Sequence, residues 1–179
     1  MLNIKDTVLV LVDVQGKLAE IMHNRDELYA NLQKLIKGMK CLDIPIIWME
    51  QIPGKLGQTI QPLRDILTDN TPISKSTFSC CCEPKFMEQL TKLNRKQIIL
   101  TGIETHVCIY QTAYDLVNSG FHVEVVADAV SSRSAENKTI GLNKINAAGA
   151  QITCTETVLL ELMRTAEHPM FKEIVKIIK

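Results

Sequence analysis

The sequence predicts an α/β fold in which a parallel sheet of six strands is covered by helices on both faces. Short apolar segments rich in β-branched residues alternate with segments of helical periodicity, and the alternation repeats about six times. Continuous apolar runs such as residues 7–12 are typical of strands that are buried on both faces. We expect one domain over residues 1–179, because a chain of this length can bury a sizeable core.

Six segments have the composition of strands. The first is an unbroken run of valine, leucine and threonine, the second and fourth are rich in isoleucine, and the fifth is rich in valine. The third and sixth are short. The predicted strands are, in chain order, residues 7–12, 44–49, 72–75, 97–100, 121–127 and 152–154.

Helices are predicted between these strands from apolar periodicity and end signals. Asn24 stands where it can cap a helix with one apolar face. That face consists of Leu28, Leu32, Leu35, Ile36 and Met39. Pro84 opens the next helix, since proline is tolerated in a first turn. A later helix is predicted at residues 109–117, with Gly120 in the position of a left-handed cap. Another is predicted at residues 135–148, with Gly149 after it, and two more on either side of Pro169.

The composition excludes several classes of protein. Hydrophobic residues make up 46% of the chain, which excludes disordered and collagen-like classes. The 20 lysines and arginines balance 20 aspartates and glutamates without a long basic run, so nucleic acid is not an expected partner. No apolar stretch approaches the roughly 20 residues that span a bilayer, and the N-terminus lacks a signal layout. We expect a cytoplasmic protein that does not bind membranes.

The six cysteines are expected to be free thiols. Their even number is compatible with disulfides, but a chain with a full core and no export signal does not need them. The run Cys80-Cys81-Cys82 lacks the two-residue gap that is common in zinc sites. We therefore expect mostly buried thiols and no metal.

Three reactive side chains follow predicted strands. Asp13 comes after the first strand, Lys75 closes the third, and Cys108 follows the fourth. Ligands of open parallel sheets bind outside the carboxyl ends of the strands, where strand order reverses. Each residue alone has an ordinary alternative, as a turn former, a surface charge or a packed thiol. Their placement at one sheet edge favours a catalytic role.

The three residue types suit nucleophilic chemistry. Cys108 stands at a strand-to-helix junction, where the helix dipole is expected to lower the thiol pKa. Asp13 can take the thiol proton and return it to a leaving amine, while Lys75 keeps the aspartate ionised. Backbone N–H groups of residues 103–108 can stabilise an oxyanion. The predicted reaction is acyl transfer to Cys108, followed by hydrolysis.

Four motifs resemble those of the isochorismatase-like cysteine hydrolases. The motifs are Leu11-Val12-Asp13-Val14-Gln15, Ser74-Lys75-Ser76-Thr77-Phe78-Ser79, Gly102-Ile103-Glu104-Thr105-His106-Val107-Cys108 and Val126-Ala127-Asp128-Ala129-Val130-Ser131-Ser132-Arg133. The resemblance implies a Rossmann-like three-layer sandwich with strand order 3-2-1-4-5-6. It also implies a catalytic triad of Asp13, Lys75 and Cys108, and a cis peptide bond between Ile103 and Glu104.

The resemblance further implies residues near the substrate. The amides of Glu104 and Cys108 would face an oxyanion, and Gln15, Phe78 and Thr105 would lie near the pocket, although packing or turn hydrogen bonds explain these three equally well. Residues 48–57 contain no histidine or aspartate, unlike the metal motif of nicotinamidases. The chain looks closest to small metal-free hydrolases that often form homo-oligomers. We expect no cofactor and a small amide or acyl substrate.

Alternatives remain open at this point. The fold could serve as a non-catalytic binding or assembly module, as a vinyl-ether hydrolase of isochorismatase type, or as a redox-sensing thiol protein. His106 lies two residues from the thiol and could form a Cys-His pair with it, but that spacing at a helix start points the two side chains in different directions. Arg133 could meet a substrate carboxylate or cap a helix. Trp48 and Tyr110 could wall the pocket or pack in the core.

Overall fold

The computed structural model describes all 179 residues, and its centre is a sheet of six parallel strands. The strands are β1 (Thr7–Val12), β2 (Ile46–Gln51), β3 (Ile73–Lys75), β4 (Gln97–Ile103), β5 (His122–Ser131) and β6 (Gln151–Thr153). They are ordered β3-β2-β1-β4-β5-β6, and every pairing is parallel. The predicted fold class and strand order are confirmed.

Nine α-helices connect and flank these strands. They are α1 (Gly16–Glu20), α2 (Arg25–Cys41), α3 (Pro53–Leu56), α4 (Gln61–Arg64), α5 (Pro84–Leu93), α6 (Tyr110–Asn118), α7 (Ala135–Ala147), α8 (Thr155–Met163) and α9 (Phe171–Ile178). A 3-10 turn forms at Cys80–Cys82, and a π-helical turn at Thr105–Ile109 leads into α6. None of the helices has both the length and the apolar character needed to cross a membrane.

The central strand β1 explains why the apolar runs are continuous. All six of its residues are fully buried. Successive side chains of a strand point to opposite faces. Leu9 and Leu11 therefore join the core beneath α2, α8 and α9, while Val8, Val10 and Val12 join the core beneath α5, α6 and α7. The sheet is thus the middle of three layers.

Two helix-end predictions have different outcomes. Asn24 precedes α2, but its backbone is left-handed with φ 51°, and its side chain does not cap the helix, so the predicted cap is wrong. The carboxylates of Asp26 and Glu27 lie in the first turn instead, where they complement the positive end of the helix dipole. Gly120 and Gly149 adopt positive φ values of 83° and 97°, as the left-handed caps require.

Strand and helix boundaries differ from the prediction in systematic ways. β2, β4 and β5 each run past the residue at which the sequence pattern ends. Polar residues there stay in the sheet because the neighbouring strand continues the hydrogen-bond ladder, which local composition does not report. The short helices α1, α3 and α4 have only four or five residues, too few to show a helical period.

Candidate active site

The three reactive residues lie at the carboxyl end of the sheet. Asp13 follows β1 with a left-handed backbone at φ 56°, and its N–H donates to the Met49 carbonyl at 3.1 Å. Lys75 ends β3, and Cys108 lies in the turn after β4. Lys75 Nζ lies 2.7 Å from Asp13 Oδ2 and 3.8 Å from Cys108 Sγ. The fold thus brings an ammonium, a carboxylate and a thiol together, and the ammonium contacts the other two groups.

Two glycines allow this approach. Gly102 pairs with Val12 across β4 and β1 and has φ 114°. A Cβ atom there would lie 2.0 Å from the Val12 carbonyl oxygen. Gly141 of α7 packs directly on the turn that carries Cys108, where a Cβ atom would lie 2.7 Å from His106 N. Only a hydrogen fits at either position, so these glycines determine how closely the chain segments around the thiol can pack.

The Lys75 ammonium is completely enclosed. Besides Asp13, it donates to Gln51 Oε1 at 2.5 Å and to the carbonyl oxygens of Thr77 and Phe78 at 3.1 and 3.2 Å. Its side chain has no exposed surface. A buried ammonium is tolerated only when its donors are satisfied, and these oxygens satisfy them. Lys75 is therefore fixed toward Asp13 and is not available to a ligand.

Burial dominates the protonation of the site. Burial raises the pKa of Asp13, and the opposing effects of Lys75 and of the Cys108 thiol do not fully offset it. Burial is the largest single influence on Lys75 and lowers its pKa, but the Asp13 carboxylate together with the Cys108 and Cys80 sulfurs outweighs it, so the pKa of Lys75 is raised. Burial, followed by the charge of Asp13, raises the pKa of the Cys108 thiol to about 12. The resting site is an ion pair beside a protonated thiol.

The predicted lowering of the Cys108 pKa is therefore wrong. The helix dipole favours a thiolate, but the loss of water around a thiol with 7% of its surface exposed outweighs that effect. Asp13 Oδ1 is buried and has no hydrogen-bond partner. An unpartnered carboxylate oxygen can accept a proton, so the site holds a candidate base beside a thiol that is protonated at rest.

A cavity of about 120 Å³ opens onto the thiol. It is lined by Asp13, Leu18, Gln51, Leu56, Phe78, Ile103, Glu104, Val107 and Cys108. Typical small-molecule pockets measure about 300–1,000 Å³, so this one admits only a compact ligand. Phe78 is the most exposed of these lining residues, at 55%.

Glu104 lines the cavity next to the turn that carries the thiol. The peptide bond between Ile103 and Glu104 is cis. The Glu104 N–H donates to no backbone or side-chain acceptor, and Oε2 accepts from Arg133 N at 3.1 Å and from Arg133 Nε at 3.2 Å. Arg133 is thus paired with Glu104 and does not line the cavity.

Gln15 and Thr105 lie close to the site but do not line the cavity. The Gln15 side chain is fully buried, donates to the carbonyls of Gln51 and Gly57, and accepts from Gln51 N at 2.6 Å. It ties the end of β1 to β2 and to the loop after α3. Thr105 is also fully buried, and its hydroxyl has no partner. Through these hydrogen bonds, Gln15 holds the ends of β1 and β2 and the loop after α3 in position.

Three other residues that the sequence analysis considered for the site lie away from the cavity. His106 Nδ1 lies 3.0 Å from Ser132 Oγ, at the end of β5 rather than at the thiol. Trp48 Nε1 donates to Thr59 Oγ1 at 2.7 Å inside the core. The Tyr110 ring lies 4.3 Å from Lys144 Nζ. None of the three lines the cavity.

All six cysteines are free, and no group of three or more metal-ligating side chains has the arrangement of a metal site.

Gln51 is the polar lining residue that the sequence analysis missed, because the predicted second strand ended at residue 49. It is the last residue of β2, and it both lines the cavity and accepts from Lys75. The sheet-edge rule that pointed to Asp13 would have found it.

Comparisons with known proteins agree with this fold. The model of the isochorismatase domain matches residues 7–157. Isochorismatase domain-containing protein 1 of Danio rerio is 37% identical over 174 residues, which are 97% of this chain and 61% of that protein. The chain therefore spans less than two thirds of that relative.

Solved structures share the whole architecture. The structure of MAR1 ribonuclease from Caenorhabditis elegans has a TM-score of 0.93 and 39% identity, and covers 99% of this chain and 91% of that one. The YcaC gene product of Escherichia coli, described as an octameric hydrolase of unknown specificity, has a TM-score of 0.89. It is 22% identical, with 98% of this chain and 94% of that chain covered, and this likeness shows the fold alone.

Proposed function

The chain belongs to the isochorismatase family, a family of hydrolases, and on that premise we propose that it hydrolyses a small amide or related acyl compound through a thioester on Cys108. One observation carries the proposal. Lys75 Nζ contacts both Asp13 Oδ2 and Cys108 Sγ, and the carboxylate and the thiol line the same small cavity.

The first step is attack of Cys108 Sγ on the acyl carbon. The thiol proton moves to Asp13, whose raised pKa favours its acceptance and whose Oδ1 is unpartnered. Lys75 stays charged beside the carboxylate, and its positive charge stabilises the negative charge that develops on sulfur as the thiol loses its proton. The tetrahedral intermediate carries an oxyanion, toward which the unpaired Glu104 N–H is available as a donor.

The second step releases the amine and then the acid. Asp13 returns its proton to the leaving nitrogen, the C–N bond breaks, and a thioester on Cys108 remains. Water then attacks the thioester with Asp13 again as base, and the thiol regains its proton. The net reaction converts an amide and water into a carboxylic acid and an amine or ammonia.

A substrate panel tests the proposal. Carboxamides and acyl esters of small size are incubated with the protein, and ammonia or acid release is measured. We expect turnover of at least one compound that is abolished in Cys108→Ala and retained in Cys82→Ala, which removes an exposed thiol. Turnover that persists in Cys108→Ala would contradict the thioester route. Binding without turnover, unchanged in Cys108→Ser, would favour the non-catalytic binding module.

Cleavage of RNA is the alternative raised by the name of the Caenorhabditis elegans structure. Phosphodiester recognition depends on accessible lysine and arginine side chains. The cavity is lined by Asp13 and Glu104 and by no lysine or arginine, and the chain has no net charge. These observations favour the acyl substrate, and incubation with single-stranded RNA under the same conditions discriminates between the two.

We also propose that the protein is a homo-oligomer. Support comes from the octameric state stated for the Escherichia coli protein and from large apolar side chains at the surface. Ile21, Tyr114 and Ile140 are each about half exposed. Sedimentation of the intact chain tests this, and a monomer at micromolar concentration would refute it.

A further inference from the structure

One wall of the active-site cavity belongs to a segment that has no buried residue. Leu56 lines the cavity, and it lies in the surface segment of residues 52–58, which includes α3 and which we term the wall segment. Every residue of the wall segment is exposed or half-buried. Apolar burial therefore contributes little to holding it, and its position depends on the hydrogen bonds at its ends.

A buried carboxylate fixes the end of the wall segment. Thr59 is the first buried residue after it and is only 2% exposed. The Thr59 N–H donates to Glu50 Oε1 at 2.7 Å, and the Thr59 hydroxyl donates to the same oxygen at 2.8 Å. That hydroxyl also accepts from Trp48 Nε1 at 2.7 Å. The wall segment is thus attached to β2 through a hydrogen-bonded group in the core.

The proposed reaction does not use Glu50. This side chain lies on β2, is 4% exposed and does not line the cavity. It takes part in none of the ion pairs of the chain, and both of its hydrogen bonds come from Thr59. A buried charge without a cation is costly unless hydrogen bonds stabilise it. The contact with Thr59 is therefore the interaction that holds this carboxylate in the core.

The other contacts at this end of the wall segment lie at the surface. The Gly57 carbonyl accepts from Gln15 Nε2 at 2.6 Å, and the Gln58 carbonyl accepts from Gly16 N at 3.2 Å. Gly57 and Gln58 are both exposed, so water can replace these bonds. The contact with Glu50 is the one that water does not reach.

We propose that Glu50 is a positioning residue that holds Leu56 against the cavity and thereby sets the size of the substrate that reaches Cys108. The inference rests on the proposed hydrolase function and adds the group that limits its substrate. Without the carboxylate, the Thr59 N–H is buried without an acceptor, and the wall segment moves outward until water reaches this N–H. The cavity of about 120 Å³ then loses its Leu56 wall and admits larger molecules.

Two alkylating reagents with the same reacting group test the size limit. Iodoacetamide is compact, whereas N-benzyl iodoacetamide carries an additional phenyl ring. With either reagent the S–C bond forms as the C–I bond breaks, iodide leaves with the electron pair, and the thiol proton passes to solvent. Site-resolved mass spectrometry gives both rates at Cys108 and at the exposed Cys82. The size ratio is the iodoacetamide rate divided by the N-benzyl iodoacetamide rate at Cys108, relative to the same quotient at Cys82.

The size ratio of the unsubstituted chain should be at least about ten, because the cavity is well below the usual volume of a small-molecule pocket. Glu50→Met should lower it about tenfold, since a net hydrogen bond to a charged group holds the closed position by about that factor. Glu50→Gln should keep the original ratio, because its amide oxygen can accept both hydrogen bonds from Thr59. A ratio near one in the unsubstituted chain would overturn the inference.

Glu124→Met is the matched control. Glu124 is also a 4% exposed carboxylate of the sheet, but it lies near the start of β5 and bonds to His122 Nε2 at 2.9 Å. Its replacement removes a buried charge far from the wall segment along the sheet, so the size ratio should not change. An equal fall in Glu124→Met and Glu50→Met would show general loosening of the fold and would overturn the inference.

Thr59→Ala tests the same contact if Glu50→Met does not fold. It keeps the backbone hydrogen bond to Glu50 and deletes only the hydroxyl one. The size ratio should fall about threefold, as expected for the loss of one of the two bonds. An unchanged ratio in folded Glu50→Met, or in Thr59→Ala if the former does not fold, would refute the positioning role.

The outcomes separate the two proposals. A size ratio that falls in Glu50→Met and is kept in Glu50→Gln, without turnover of any amide, refutes the hydrolase and leaves the positioning role. Amide turnover that depends on Cys108, with the same size ratio in the unsubstituted chain and in folded Glu50→Met, refutes the positioning role and leaves the hydrolase.

Discussion

Replacing Asp13 with asparagine should change alkylation and turnover in opposite directions. The carboxylate is, after burial, the main cause of the raised pKa of Cys108, and Lys75 opposes it. Asparagine removes that negative charge and leaves the Lys75 ammonium beside the sulfur. The thiol pKa should therefore fall in Asp13→Asn, although the general acid and base of the proposed reaction is lost.

The magnitude follows from the geometry. Lys75 Nζ lies 2.7 Å from Asp13 Oδ2 and 3.8 Å from Cys108 Sγ, so the two atoms it bridges are at most about 6.5 Å apart. At an effective dielectric constant of about 20, this separation corresponds to about 2.5 kcal/mol, or about two pKa units. A fall of this size in the thiol pKa increases the thiolate fraction at neutral pH about 100-fold.

The assay compares iodoacetamide alkylation at Cys108 with amide turnover at pH 7.5. We expect alkylation to accelerate about 100-fold in Asp13→Asn, while turnover falls by about 10²–10⁴, the range that a general base contributes. The control is Asp69→Asn, which breaks an exposed ion pair with Lys40 and should leave both rates unchanged. Alkylation that is unchanged or slower in folded Asp13→Asn would refute the electrostatic reasoning.

Two further substitutions test the packing of the site. Lys75→Met should cost about 3–5 kcal/mol of unfolding free energy in urea denaturation, because it leaves the Asp13 carboxylate buried and unpaired. Adding Asp13→Asn should recover much of that loss without restoring turnover, and Lys40→Met is the exposed-pair control; a double variant no more stable than Lys75→Met would contradict the pairing argument. Gly141→Ala should destabilise the fold by about 1–3 kcal/mol and slow turnover, since its Cβ would press on the turn bearing the thiol. Gly54→Ala, with nothing within 4 Å of the added carbon, should do neither, and equal effects at both glycines would argue against the contact.

Much of the fold is readable from local patterns. The apolar run of β1 has the same bounds in the prediction and in the structure, since a strand buried on both faces is continuous in composition. Strand ends are less readable. β2 continues through Glu50 and Gln51 because β3 pairs with them, and this pairing involves residues far along the chain. The prediction consequently missed Gln51.

The candidate site, like the fold, has features that the sequence predicts and features that depend on tertiary neighbours. The order of Asp13, Lys75 and Cys108 after successive strands is a property of the sequence, and the topology of a parallel sheet is enough to expect them at one edge. The cap assigned to Asn24 and the pocket role considered for Trp48 rested on residue type, and the neighbours of these residues decide otherwise. The spacing that was expected to turn His106 away from the thiol agrees with its contact to Ser132.

The amino-acid sequence alone predicts the strands in chain order, the alternation of helix and strand, and the position of each reactive group at a strand end, because these depend on short-range periodicity and end signals. It does not predict the protonation state of Cys108. Whether Cys108 rests as a thiol or a thiolate depends on how much water reaches the sulfur and on charges contributed by β1 and β3. Desolvation and Coulomb interactions act through space, so only the assembled molecule sets them.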